Sequence, residues 1–392
     1  MKIEIEKKRN LKTLNLKLII VVTNIPNPYR IPLFNELNKQ LNAQGMSLKV
    51  VFAAKGYARR MFNLDMKDCM FDYQILESGT YTAANNVEKT YFSYKGLLSI
   101  VSKENPFRTI IIGYSSGTMM LWLRSFIKPT PFIIWSGTII KKGRNDSWIR
   151  IVQRKIVTQR AKAFIAYGSK AVEYLKTIGA AEQKITVAIN TVDTEFFRTQ
   201  TEIERQQLKP SDTKHLTYIG YLVPRKNVNR LLEIVKELSL TRNDFVLDLI
   251  GDGESKAELE LYTKQHKLEN FVHFHGFKQK SELPAYLALS TAFLFQTDFD
   301  VWGLTLNEAM AAGVACLSSE NAGASFDLVV ENETGFVVNF SNKEHVVKKI
   351  NWLLDNPQEA KEMGKKAAQL INEKASLAVC AQGFIKAIKL SE

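Results

Sequence analysis

Short runs of apolar and β-branched residues alternate with longer stretches of 3-to-4 spacing along almost the whole chain, which confines it to stacked βαβ units around parallel sheets. In the first half the expected strands are 18–23, 48–53, 109–113, 132–135, 163–167 and 185–189. The pattern restarts at 215–220 and is followed by a helix in which Val228, Leu231, Leu232, Val235 and Leu238 repeat on one face, with Asn227 as its expected N-cap. Strands at 245–250, 271–274, 292–295, 314–318 and 335–338 complete a second doubly wound sheet.

A chain of 392 residues exceeds what one core usually covers, so the expected fold is α/β, with two Rossmann-like doubly wound parallel-sheet domains. The first spans 1–198, with 1–15 a polar extension. The almost wholly polar stretch 199–213 is the linker, 214–370 the second domain, and 371–392 a C-terminal helix expected to pack back on the first. The three cysteines, Cys69, Cys316 and Cys380, fit neither a disulfide framework nor a zinc spacing, which implies a reducing, cytoplasmic setting. The early apolar run at 16–22 is too short to span a bilayer. His273 and His275 alternate on a strand, and no metal role is assigned to them.

The net charge of +13 divides unevenly. Up to residue 200 there are 31 Lys and Arg against 14 Asp and Glu, whereas the remainder carries 22 against 26. A basic N-terminal half and a mildly acidic C-terminal half imply different partners for each.

The densest cluster of unusual residues runs from Asp298 to Gly313, following a strand and opening a helix. The N–H groups of Gly303, Leu304 and Thr305 are left at the helix start, where the dipole favours an anion, so a diphosphate fits there. Glu308, about one turn further in, would repel phosphate and suits hydrogen bonds from neutral hydroxyls such as a ribose diol.

Asp300-x7-Glu308, with Trp302-Gly303-Leu304 and Asn307-Glu308-Ala309-Met310-Ala311, resembles the Glu-x7-Glu motif of retaining family 4 glycosyltransferases, a GT-B family of the glycosyl transferases group 1 type. The resemblance implies that the first acid, here the shorter Asp300, contacts the donor sugar and that Glu308 holds the ribose. It continues in Gly220-Tyr221-Leu222-Val223-Pro224-Arg225-Lys226-Asn227, similar to the segment that grips the donor diphosphate. Lys226 matches the family lysine, Tyr221 stands where an arginine is usual, and Arg225 is the candidate to replace it. Ile250-Gly251-Asp252-Gly253, His275-Gly276-Phe277 (implied to flank the base), and Gly323 to Val329 with Thr334-Gly335-Phe336 extend the match over most of the second half.

In the first half, Asn190-Thr191-Val192-Asp193 and Gly168-Ser169-Lys170 are similar to the family's anchors. Arg30, at the start of the first helix, is the candidate for an acceptor phosphate or carboxylate. Ser136 and Thr138 stand where many relatives carry a histidine, and no histidine occurs in residues 1–200. Lys141-Lys142-Gly143-Arg144 and the helical stretch 148–162 form a basic segment with apolar positions, suited either to packing in the domain or to an anionic membrane.

Together these imply a metal-independent enzyme that needs no cofactor beyond its UDP- or GDP-sugar donor. It would move a sugar to a hydroxyl of a glycan or lipid-diphosphate-linked acceptor in cell-surface polysaccharide or glycolipid synthesis, peripheral on the cytoplasmic face of the membrane. A GT-B nucleotide-sugar epimerase or hydrolase is the alternative. A nucleic-acid partner is not expected, because the basic half lacks a compact recognition motif.

Overall fold

The structure is a computed structural model that describes residues 16–56, 65–76, 79–83, 86–140 and 147–392. The polar extension 1–15 and the basic run 141–144 lie outside the described residues. Among the described residues nine strands precede residue 190: β1 (Lys17–Thr23), β2 (Met46–Phe52), β3 (Asp72–Ile75), β4 (Thr80–Ala83), β5 (Asn86–Phe92), β6 (Arg108–Ile112), β7 (Phe132–Ser136), β8 (Ala163–Ala166) and β9 (Ile185–Val187). All but the antiparallel β4–β5 pair form one parallel sheet ordered β3-β2-β1-β6-β7-β8-β9. The second sheet is parallel and ordered β12-β11-β10-β13-β14-β15, from β10 (Lys214–Ile219), β11 (Phe245–Ile250), β12 (Val272–Gly276), β13 (Ser290–Phe295), β14 (Ala315–Ser319) and β15 (Gly335–Val338).

The central strands are apolar throughout because helices cover both faces: every residue of β7 and of β11 is buried. In each sheet the winding reverses once, between β1 and β6 and between β10 and β13. Such a reversal leaves a crevice beyond the carboxyl ends of the strands, where open α/β sheets hold ligands.

The polar stretch expected as the linker is helical as far as Gln207, within the helix Thr194–Gln207. Asp193 caps it by accepting from the Phe196 amide at 3.1 Å, and Phe197 and Thr201 are buried against helices Leu283–Leu289 and Leu304–Ala311 of the second domain. So few buried positions on a long helix leave the sequence looking polar. A correction concerns Asn227, which is not the N-cap of helix Asn229–Ser239. It sits in the left-handed region at φ 44°, ending the short turn Pro224–Lys226, and its amide donates to Asp298 at 2.9 Å.

The chain's last two helices tie the domains together. Helix Pro357–Ala375 packs on the second sheet, and helix Leu377–Leu390 crosses to the first, lying on helix Ile31–Asn42, β8 and β9. Phe384 meets Trp135 edge-on at 4.8 Å, and Gly383 lies so close to β9 that a Cβ would fall 2.6 Å from the Val187 carbonyl oxygen.

Candidate active site

Two loops meet at the β10/β13 crevice. After β10, the turn Pro224–Lys226 carries a buried Lys226 whose Nζ lies 2.7 Å from Asp300 Oδ2. Arg225 Nη1 is 3.7 Å from the same oxygen and 3.4 Å from the Phe299 carbonyl. The two cations named from the sequence therefore converge on the first acid of the motif. Asp300 Oδ1 also accepts from the Trp302 amide at 3.2 Å. Burial alone would raise the Asp300 carboxyl, but the charge and hydrogen bond of Lys226, then the charge of Arg225, outweigh it and hold the group below its usual range.

Close backbone packing holds the first loop. Gly251, at φ 153°, lies so near it that a Cβ would fall 1.8 Å from the Gly220 carbonyl oxygen, and the Leu222 amide donates to the Asp252 carbonyl at 2.9 Å. In the second loop Gly303 adopts φ 108° ahead of helix Leu304–Ala311, where a Cβ would meet Phe295 Cζ at 2.1 Å. Among the described residues none accepts from the amides of Gly303, Leu304 and Thr305; Gly303 packs on Phe295, whose ring centre lies 4.9 Å from Lys226 Nζ, and follows Trp302, whose amide donates to Asp300.

Glu308 lies one turn into that helix. Its Oε2 is sealed from solvent and has no hydrogen-bond partner, and burial pushes its carboxyl up to about 8 against the opposing pull of Lys280. A buried acceptor left open at the edge of a ligand crevice marks a place for a donor from outside the chain.

The domain interface is polar and specific. Asp327, on helix Gly323–Leu328, reaches across to helix Ser169–Thr177. It accepts from the Ser169 amide at 3.0 Å and from its hydroxyl at 3.1 Å, capping that helix from the other domain. Trp302 Nε1 donates to Asn307 Oδ1 at 2.9 Å, while Asn307 Nδ2 donates to the Asn190 carbonyl at 3.1 Å. The anchors around Gly168 and Asn190 are thus contacts between the domains, and Asp327, Trp302 and Asn307 are their partners.

On the first domain a cleft of about 720 Å³ opens toward Phe299 and Val301, lined among others by Trp135, Thr138, Arg154, Lys155 and Tyr167. Ser136 is buried, and its hydroxyl accepts from the Thr138 amide at 3.2 Å, so it shapes the loop while Thr138 faces the cleft. Arg30 is not exposed at a helix start. It is buried under Trp135, its guanidinium 3.9 Å from that ring, and donates to the Tyr167 hydroxyl at 2.6 Å. Arg30 Nη1 and Trp135 Nε1 are buried donors without partners. Sequence reasoning missed Trp135, Tyr167, Arg154 and Lys155 as cleft residues. The first two read as core, and the last two as one charged face.

His275 is committed to the chain itself. Its Nε2 lies 2.6 Å from Asp248 Oδ1, its ring packs on Tyr286, and His215 Nδ1 takes the other Asp248 oxygen at 2.6 Å. Asp248, His273 and His275 bring ligand-capable atoms within 4.8 Å of one another; within this trio His275 and Asp248 share a hydrogen bond, and His273 Nδ1 stands 3.8 Å from the same Asp248 oxygen. Neither Asp248 nor His215 was singled out from the sequence. Gly276, at φ 68°, ends β12 and turns the chain toward Phe277, which is half-buried.

Residues 199–370 match the family model described as glycosyl transferases group 1. Among curated proteins, D-rhamnosyltransferase WbpZ of Pseudomonas aeruginosa is 29% identical over 165 residues, 42% of this chain and 41% of that protein. An uncharacterized glycosyltransferase of Haemophilus influenzae is 24% identical over 192 residues, 47% and 54% of the two. The chain spans about half the length of the curated relatives it matches. Among solved structures, HepE of Anabaena in complex with UDP superposes with a TM-score of 0.75 at 15% identity, covering 95% of this chain and all of that one. Sucrose-phosphate synthase of Thermosynechococcus elongatus superposes with a TM-score of 0.73 at 15% identity, covering 94% and 98%. The chain has the GT-B fold, and its residues 199–370 match the glycosyl transferases group 1 family.

Proposed function

We propose that the chain transfers a sugar from a nucleoside diphosphate sugar to a hydroxyl of a glycan or lipid-linked acceptor, with retention at the anomeric carbon. The observations that carry this reading are the meeting of Arg225 and Lys226 at Asp300, the open amides of Gly303 to Thr305 just after it, and the unpartnered Glu308 Oε2 one turn into the same helix. The cations and amides suit a diphosphate, and Glu308 suits the ribose hydroxyls. A fold neighbour in complex with UDP and glucose supports a uridine nucleotide, though a guanine nucleotide would use the same diphosphate grip.

Without donor, Lys226 is held by Asp300. A diphosphate would draw Lys226 and Arg225 toward its oxygens and free Asp300 for a sugar hydroxyl. In transfer, the bond from the anomeric carbon to the phosphate oxygen breaks and the acceptor oxygen bonds to that carbon on the same face. The acceptor proton passes to the departing phosphate oxygen, so no protein base is required. Lys226, Arg225 and the helix amides stabilise the developing charge, a task a divalent ion would otherwise perform. The buried donors Arg30 Nη1 and Trp135 Nε1 beside the first-domain cleft suit an acceptor rich in oxygen.

A thermal-shift screen with nucleoside diphosphates and nucleotide sugars tests the donor site, since a ligand bound only by the folded state raises the apparent Tm. Proton NMR of the product then reads the anomeric configuration. An inverted product overturns retention, and conversion of the donor with no acceptor present places the chain among epimerases or hydrolases instead.

A further inference from the structure

Helix Trp148–Arg160 is apolar on two sides. Val157 and Thr158 are buried against the domain, with Ile151 and Arg154 half-buried beside them. Trp148, Ile149, Val152 and Ile156 point the other way and are 72%, 60%, 44% and 43% exposed. At 3.6 residues per turn these four fall in one stripe about 100° wide on the solvent side. Leu123, Phe126 and Ile127, at and beyond the end of helix Ser116–Arg124, are also exposed. Arg160 joins the two groups: its guanidinium lies 3.7 Å from the Phe126 ring and donates to the Ser125 carbonyl at 3.2 Å. Seven large apolar side chains on one face, with nothing among the described residues covering them, go beyond the scatter of a solvated surface.

The charge around this face has one sign. Lys128, Arg150, Lys155, Arg160 and Lys162 are exposed at its edges, and between Glu104 and Glu173 the sequence has 12 Lys and Arg against one acid, Asp146. Trp and aliphatic side chains sink to the acyl boundary, while long basic stems reach back to phosphate level, so an apolar centre rimmed by cations matches a negatively charged lipid surface.

We propose that this face docks the protein on an anionic bilayer. Ile151, Arg154 and Lys155 of the same helix line the first-domain cleft, so docking would bring the cleft mouth to the headgroup layer. A hydroxyl carried on a lipid headgroup then reaches Phe299 and Val301 without its chains leaving the membrane. That consequence rests on the transfer reading, whereas docking itself does not.

The test is flotation of the full chain with vesicles of phosphatidylcholine alone and with about 30% phosphatidylglycerol, a composition that supplies the surface potential. Binding to the anionic vesicles should be at least about tenfold tighter and should fall steeply in about 0.5 M salt. Trp148→Ser/Val152→Ser/Ile156→Ser should weaken it by about tenfold or more while keeping the UDP-induced thermal shift. Phe126→Ser/Ile127→Ser repeats the test from the other half of the patch. Equal binding to both vesicle types, or undiminished binding by both variants, overturns docking even if UDP still binds. So does sedimentation in which the variants dissociate a dimer while lipid binding stays unchanged, since a second copy of the chain would then cover the face. A wild type whose Tm shifts with neither UDP nor GDP overturns the donor-site reading and leaves docking standing.

Discussion

Replacing Glu308 by Gln separates the cost of burying this carboxyl from its use. Folding raises its pKa to about 8, whereas an unfolded glutamate titrates near about 4.3. Between those values the folded state holds a proton that the unfolded state has lost. The stabilisation from that proton is complete below the unfolded pKa and is lost as pH rises toward the folded one, by about 1.4 kcal/mol per pH unit. By about pH 8.5 the accumulated loss approaches about 5 kcal/mol, an upper bound because local relaxation and water entry reduce it. Gln keeps the shape and cannot ionise. Glu308→Gln should therefore match the wild type below about pH 4 and exceed it by about 2–4 kcal/mol near about pH 8.5, read from urea unfolding followed by circular dichroism. If ribose hydroxyls donate to the ionised carboxylate, wild-type affinity for a nucleoside diphosphate should rise about tenfold per unit from about pH 6 to 8, with proton release. Calorimetry in two buffers of different ionisation enthalpy counts those protons, and the variant should bind weakly and release none from this site. A stability difference that does not change with pH, or wild-type binding without proton release, would refute the reasoning.

Three further outcomes follow from the same geometry. Lys226→Ala leaves the half-buried Asp300 without its nearest cation and should cost about 3–5 kcal/mol along with most turnover. Adding Asp300→Asn should restore stability and not turnover, and a double variant as unstable as the single one would falsify this electrostatic account. Gly303→Ala forces a Cβ into Phe295 at a positive φ and should lower stability by about 1–3 kcal/mol, so an unchanged urea midpoint would show that the loop has room. Asp327→Ala removes the cross-domain cap of Ser169 and should cost about 1 kcal/mol while splitting the calorimetric melt into separate domain transitions. A single melt at the wild-type temperature would contradict a coupling role.

What the sequence makes legible here is what local pattern can encode. The strands of the second sheet, the helix start at Gly303 and the Arg225–Lys226 turn each follow from a few adjacent residues, and all appear where the alternation and the glycines put them. Strand β3 escaped notice because its Asp72, Tyr73 and Gln74 are exposed and carry no apolar alternation. Three site features depend on contacts between distant segments, which no window of sequence contains. Arg30 reads as a surface residue because its aromatic enclosure comes from Trp135 and Tyr167, more than a hundred residues away. Asp327 finds Ser169 only across the domain interface, and His275 finds Asp248 only through the pairing of β11 with β12. Asn227 follows a subtler rule: a capping residue type was used for its tolerance of the left-handed region.

The central claim, that the β10/β13 crevice grips a nucleoside diphosphate through Lys226, is tested most directly by calorimetric titration of a nucleoside diphosphate and its parent nucleoside into the wild type and Lys226→Met. The diphosphate should bind the wild type at least about tenfold more tightly than the nucleoside, and the variant should lose most of that preference while still binding the nucleoside. A variant that keeps the full preference, or a wild type that binds neither ligand, would contradict the account.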